Sequence, residues 1–383
     1  MKFRLKNARD IDAFLTGCAF YGTGGGGDTK IGRISLMDCL DKGLEIVLAD
    51  PSEIQEEGLY CHAFFMGSIA PKTPEVLAEM ERNGYTDRLY DTEEMLIGAV
   101  QNLEAHLGRK VDALVVAEPG GTNAACCMAA AYKMGVPVID GDPAGRAIPS
   151  MTNGLACVRG YDCLPATYFD AWGNCNITTD AFDYRAIERI GKFLSQASYG
   201  EMAEAAYPMS GIQLRNVLVP NSLSRCLSVG KAIDQAKQEG RDLLHAAAKA
   251  SGGKVVGRGI VSDIRPVDED SYYQGTYLVQ GEGAYSDKTF KIWFKNENHI
   301  LWVNGVPIVT SPDLITIVNY ETGMPVLNTF LTEGEPVGII ISPCHEFYRE
   351  EASIKAFGPR AFGFDFDYLS YDSVEDFEKW SDA

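Results

Sequence analysis

The chain has 383 residues, 46% of them hydrophobic, and a formal net charge of −19. That length can bury a large core and argues for two domains, because single cores stop growing near ~250–300 residues. The acidic balance excludes nucleic-acid binding, which needs clustered Lys and Arg, and no apolar run reaches the roughly 18 residues of a membrane span.

The charged residues 1–10 are not followed by an apolar run, so no secretory signal is expected and the chain reads as cytoplasmic. Ile11, Phe14, Leu15 and Cys18 keep helical spacing, so the chain opens on an amphipathic helix. It runs into Thr23-Gly24-Gly25-Gly26-Gly27-Asp28, followed by a helix over 32–40 and strands over 45–49 and 59–66. Asp91 and Glu94 have capping-box spacing, and Leu96, Val100, Leu103 and Leu107 then line one helix face. A near-continuous apolar run over 111–117 reads as a strand buried on both faces. A helix over 123–134 and a strand over 136–140 complete a βαβ unit, which makes this sheet parallel. Helices over 222–239 and 242–250 follow.

After Ser251-Gly252-Gly253 the period changes to two, with strands over 254–264, 275–280, 288–295, 299–303, 313–318 and 337–342. Asn304-Gly305 is a two-residue hairpin turn. The pattern predicts an α/β domain with a largely parallel sheet over 1–250 and an antiparallel β-rich domain, barrel- or sandwich-like, over 251–345. Residues 346–383 are expected to pack back on the α/β half. Within them, Ser373 opens a capping pattern for a short helix carrying Phe377 and Trp380.

Three loops carry the candidate chemistry. Four consecutive glycines, Gly24, Gly25, Gly26 and Gly27, make sense where backbone N–H groups approach a ligand as a nest, with Thr23 beside them. The loop follows a helix rather than a strand and lacks a Gly-Lys-Ser/Thr ending, so it is neither a dinucleotide fingerprint nor a Walker loop. Asp28 could be a base, or simply the N-cap of the next helix. Glu118, directly after the buried strand, could be a base or a metal ligand, with Gly121, Thr122 and Asn123 offering polar groups at a helix N-terminus. The plainer alternative is a capped strand-to-helix turn. Asp140 and Asp142, at the end of the next parallel strand, could activate water or bind a divalent cation, and Arg146 could hold a substrate oxygen. An Asp-Pro turn with a surface ion pair is the alternative there. Loops after adjacent parallel strands converge, and Met66-Gly67-Ser68 is a candidate to join them.

The ten cysteines include no C-x-x-C pair and sit mostly in apolar segments, so packed free thiols are expected, Cys126 and Cys127 included. The five histidines form no metal-binding spacing. Asn296-Glu297-Asn298 reads as a hairpin turn unless the glutamate is buried. The cofactor is unknown; the carboxylates could hold a divalent metal, but no spacing demands one.

Taken in order, the loop at 22–28, Glu118-x-Gly120-Gly121-x-Asn123, Asp140-x-Asp142-x-x-Gly145-Arg146-Ala147-x-Pro149, Asn296-Glu297-Asn298 and residues 358–368 resemble the S-methyl thiohydantoin desulfurase domain family, long catalogued as a domain of unknown function. The resemblance spans about residues 7–368 and implies an α/β N-terminal and a β-rich C-terminal domain. It also implies a hydrolase-type enzyme in which water replaces sulfur on a hydantoin-like ring, and association with hydantoinase or oxoprolinase-type enzymes. Ser150 stands where relatives tend to carry a glutamate, so any family contact through that glutamate is changed here. The resulting expectation is a homo-oligomer acting on a small cyclic amide or thioamide, with Asp28, Glu118, Asp140 and Asp142 as candidate catalytic carboxylates. The rival expectation is a non-catalytic accessory subunit that binds a metabolite or docks on a hydantoinase-like partner. A phosphate-binding glycine loop is weakened by the lack of an adjacent lysine.

Overall fold

The structure is a computed structural model that describes residues 3–67, 70–200 and 202–374. Its first half contains α1 (Ala8–Tyr21), α2 (Thr29–Asp41), β1 (Leu59–Met66), α3 (Thr92–Leu107), β2 (Ala113–Val116), α4 (Asn123–Met134), β3 (Ala166–Phe169), β4 (Cys175–Thr178), α5 (Tyr184–Ala197) and β5 (Met202–Ser210). The five strands form one sheet in the order β2-β1-β5-β3-β4. β1 and β2 pair in parallel, and parallel bridges Leu114–Val138 and Ala49–Ile139 continue that arrangement outward. The pairings of β5 with β1, β5 with β3 and β3 with β4 are antiparallel. The expected βαβ unit is therefore present, and the parallel side of the sheet is the side whose loops carry Glu118 and Asp140.

The helix α6 (Ser222–Gln238) crosses α1 at very short range. A Cβ on Gly17 would lie 1.7 Å from the Cys226 carbonyl oxygen, and one on Gly230 would lie 1.6 Å from that of Ala13. Glycine on both helices lets their backbones touch, which fixes where α1 ends. That end matters because Gly22, its C-cap, leads into the glycine loop, with the Gly22 N–H bonded to the Cys18 carbonyl at 2.7 Å.

The second half is a seven-stranded antiparallel sheet of β6 (Lys254–Glu269), β7 (Tyr272–Gly281), β8 (Thr289–Lys295), β9 (Glu297–Val303), β10 (Val306–Thr310), β11 (Leu314–Asn319) and β12 (Pro336–Ser342), in the order β10-β9-β8-β7-β6-β12-β11. It curls far enough for Asn298 Nδ2 on β9 to donate to the Ile315 carbonyl on β11 at 3.0 Å. A second apolar core, built on residues such as Phe290, Ile292, Ile315 and Ile339, lies within this sheet. The α/β core is the larger and takes in Leu314, Ile340, Tyr348 and Phe357 from the C-terminal half.

The chain after β12 returns to the first half. The Tyr348 hydroxyl donates to the carbonyls of Pro143 and Asn153, and Asn153 Nδ2 donates to the Ala356 carbonyl. The helix expected after Ser373 falls on residues 375–383, outside the described residues. The cysteines are all free thiols, and no helix among the described residues is long and apolar enough to cross a membrane.

Candidate functional site

The loops meet in a cavity of about 490 Å³ between the two halves. Gly24–Gly27 and Asp28 form one wall, with Glu118, Thr122 and Asn123 beside them and Asn296 and Glu297 facing from the β-rich half. His62, Phe64, Phe65 and Tyr207 supply the sheet side, and Ser150, Glu188 and Lys192 the far end.

The glycine loop is shaped by close packing. Gly24, Gly26 and Gly27 all have left-handed φ, at 99°, 77° and 85°. Added Cβ atoms on Gly26 and Gly27 would fall 2.6 Å from the Gly120 Cα and 2.5 Å from the Thr122 Cβ, so only glycine lets this loop lie against the next. The Gly26 carbonyl accepts the Thr122 and Asn123 N–H groups at 3.1 and 3.4 Å. Those helix N-terminal donors, one of them expected to face a ligand, are thus engaged by the neighbouring loop. Gly121 is packed against Gly27 and Thr29 rather than lining the cavity. The Gly26 and Gly27 N–H groups are left unbonded among the described residues, on the cavity wall. Asp28 caps α2, accepting from Lys30 N at 2.9 Å, while also lining the cavity.

Glu118 is the best-defined ionisable group of the site. It is 8% exposed. One carboxylate oxygen accepts from Asn123 Nδ2 and the other from Ile148 N, both at 2.7 Å. Burial lifts its pKa from 4.5 to about 7, with the two hydrogen bonds opposing the shift and the Asp142 charge adding to it. Asn123 Oδ1 in turn accepts from Phe65 N at 3.3 Å, so the carboxylate is tied to the end of β1.

Asp140, Asp142 and Arg146 lie outside this cavity's lining. Asp142 accepts from Ala144 N and Gly145 N at 2.7 and 2.6 Å and from the Ser222 hydroxyl, and Asp140 accepts from the Ser224 amide and hydroxyl. Burial raises Asp142 to about 6 and raises Asp140 as well. Both fasten their loop to α6. Arg146 is 1% exposed. It donates to the carbonyls of Ala147, Pro312, Asp313 and Asn298 and to Thr23 Oγ1. Its guanidinium pins the glycine loop and the β-rich half together, and Thr23 belongs to that clamp rather than to the cavity.

Three contributors were not singled out from sequence as site residues. Glu297, read there as part of a turn unless buried, is buried at the cavity wall. Glu188 and Lys192 come from α5, whose Asp183 cap and Ile187, Gly191 and Leu194 spacing are readable signals. Glu188 accepts from Met151 N and the Tyr272 hydroxyl, both at 3.0 Å, so a glutamate from another element stands beside Ser150. Lys192 Nζ reaches the carbonyls of Gly67 and Ser271 and lies 3.9 Å from Glu188. His62 is pushed down to about 4 by burial, so it is neutral in the neutral range. Ser68 lies outside the described residues.

A second cavity of about 1020 Å³ opens beyond Ser150, Glu188 and Lys192 and is rich in Arg185, Arg189, Lys295 and Lys355. No three His, Cys, Asp or Glu side chains among the described residues are grouped to hold a metal ion.

Residues 9–180 match the S-Me-THD-like N-terminal domain and residues 182–371 the S-Me-THD-like C-terminal domain. The chain belongs to the S-Me-THD-like family. The boundary between the two matched domains precedes β5, although β5 is a central strand of the first sheet. The S-Me-THD-like fold is also that of a Chromobacterium violaceum protein solved by X-ray crystallography. It is 21% identical, with a TM-score of 0.77 over 96% of this chain and 99% of that one. No curated protein matches the chain.

Proposed function

We propose that this S-Me-THD-like protein is a hydrolase-type enzyme that takes a hydantoin- or thiohydantoin-like ring into the first cavity, where water replaces sulfur on a ring carbon. The observation that carries the reading is Glu118. It is buried, oriented through both oxygens, and shifted to about 7, where a general base is most effective in neutral solution. Asn123 positions it, and the Gly26 and Gly27 N–H groups supply fixed donors for charge developing on the ring. Phe64 and Phe65 give the ring an apolar flank. The family name supports the same chemistry.

The test is turnover of an S-methylthiohydantoin panel, following thiol release and the hydantoin product together. Glu118→Gln should lower kcat by about 10²–10⁴ while leaving product affinity within about threefold. Binding of a ring compound with no turnover at any pH would sink the enzymatic reading and leave that of an accessory, metabolite-binding subunit.

A further inference from the structure

We propose that Glu297 is the proton donor of this site, a neutral carboxylic acid that protonates the ring nitrogen as water adds to the adjacent carbon. The inference rests on the ring-hydrolysis reading above and assigns its second half-reaction.

Glu297 opens β9, directly after Asn296, whose left-handed φ of 57° turns the chain from β8 into the cavity wall. The side chain is 2% exposed. One oxygen abuts the glycine loop so closely that a Cβ on Gly25 would lie 1.9 Å from it. The other, Oε2, is buried with no hydrogen-bond partner among the described residues. Glu118, across the same cavity, has a donor on each oxygen. Of two buried carboxyls lining one cavity, the one with a donor on each oxygen ionises first, and the one with an oxygen that has none keeps its proton.

The surrounding charges do not reverse this order. Arg146 directs its hydrogen bonds to carbonyls and to Thr23, none to Glu297. Lys192 gives its own to Gly67 and Ser271. Asp28, Glu188, His62 and Tyr207 line the same cavity. Burial first, then the Glu118 charge, hold the Glu297 carboxyl well above the usual carboxylate range against Arg146, its own backbone N–H and Lys192.

The chemistry balances with these two groups alone. Glu118 takes a proton from water as the oxygen bonds to the ring carbon. The C=N electron pair moves to nitrogen, which takes the Glu297 proton. In collapse the C–S bond breaks, the new hydroxyl returns its proton to Glu297 as it becomes a carbonyl, and the departing sulfur takes the proton from Glu118. One water is consumed, one thiol is released, and both carboxyls end as they began.

The experiment compares Glu297→Gln with wild type on an S-methylthiohydantoin and on its N,N′-dimethyl cation, whose nitrogens need no proton. The substitution should lower kcat about 10²–10⁴-fold on the neutral ring and leave the cation within about threefold. Equal losses on both rings overturn the assignment. Infrared difference spectra decide the proton's location without any turnover. A protonated-carboxyl band that survives about two pH units above the Glu118 titration, where Glu118 is ionised, must vanish in Glu297→Gln and persist in Glu118→Gln. Glu204, a further buried carboxyl with unpartnered oxygens among the described residues, would add a band of its own that Glu204→Gln removes. If Glu297→Gln does not fold, loss of the remaining band in Glu118→Gln, or its absence from a Glu204→Gln background, still overturns the assignment. Wild-type protein that turns over neither ring removes the hydrolysis reading alone, because the infrared result stands separately.

Discussion

The raised Glu118 carboxyl makes folding stability depend on pH with a sign and a size. Folding moves this group from 4.5 to about 7. At about 1.36 kcal/mol per tenfold change in proton affinity, that corresponds to roughly 3 kcal/mol. Between the two values the folded state holds a proton that the unfolded state has lost, so stability falls as pH rises. The contribution is fully present below about pH 4.5, is lost on the way to about 7, and is flat above. Urea unfolding of wild type and Glu118→Gln from about pH 4 to 8 isolates it. The wild-type-minus-variant free energy should fall by about 3 kcal/mol across that window. A difference that is level with pH, or that rises, refutes the buried-base argument. The same titration predicts that kcat/KM climbs with pH and levels off above about 7.

Other substitutions separate the cavity from its supports. Gly25→Ala has no backbone conflict, yet its Cβ would meet the Glu297 carboxyl at 1.9 Å; activity should fall at least tenfold with about 1–3 kcal/mol of lost stability, read by steady-state kinetics and unfolding. Arg146→Lys, which cannot reach all the acceptors now served, should destabilise by about 3–5 kcal/mol in urea. Asp142→Asn and Asp140→Asn should each lose about 1–3 kcal/mol while kcat stays within about threefold, since both carboxylates bind their own loop and α6.

Much of this was readable from residues. The βαβ unit follows from the apolar run at 111–117 and the helix over 123–134, and the period-two segments after Gly253 are the observed β-rich half. β5 was not readable, because Met202-Ala203-Glu204-Ala205-Ala206 favours a helix by propensity and becomes a strand only through its neighbours on both sides. The glycine loop and Glu118 were found by their place after α1 and β2. The separation of Glu118 from Asp140 and Asp142 was not, because the three stand on neighbouring loops and only the partners Ser222 and Ser224 show which carboxylates turn inward. Arg146 illustrates the same limit. Its sequence context suits a ligand clamp, and only the fold brings carbonyls from residues about 150 positions away to consume it.

The most direct measurement is the fate of an S-methylthiohydantoin incubated with the purified protein, with methanethiol and hydantoin quantified in the same reaction. The account predicts the two products in equal amounts, at a rate that follows the Glu118 titration and falls about 10²–10⁴-fold in Glu118→Gln. Unchanged substrate across that pH range, or product formation that Glu118→Gln leaves intact, would contradict it.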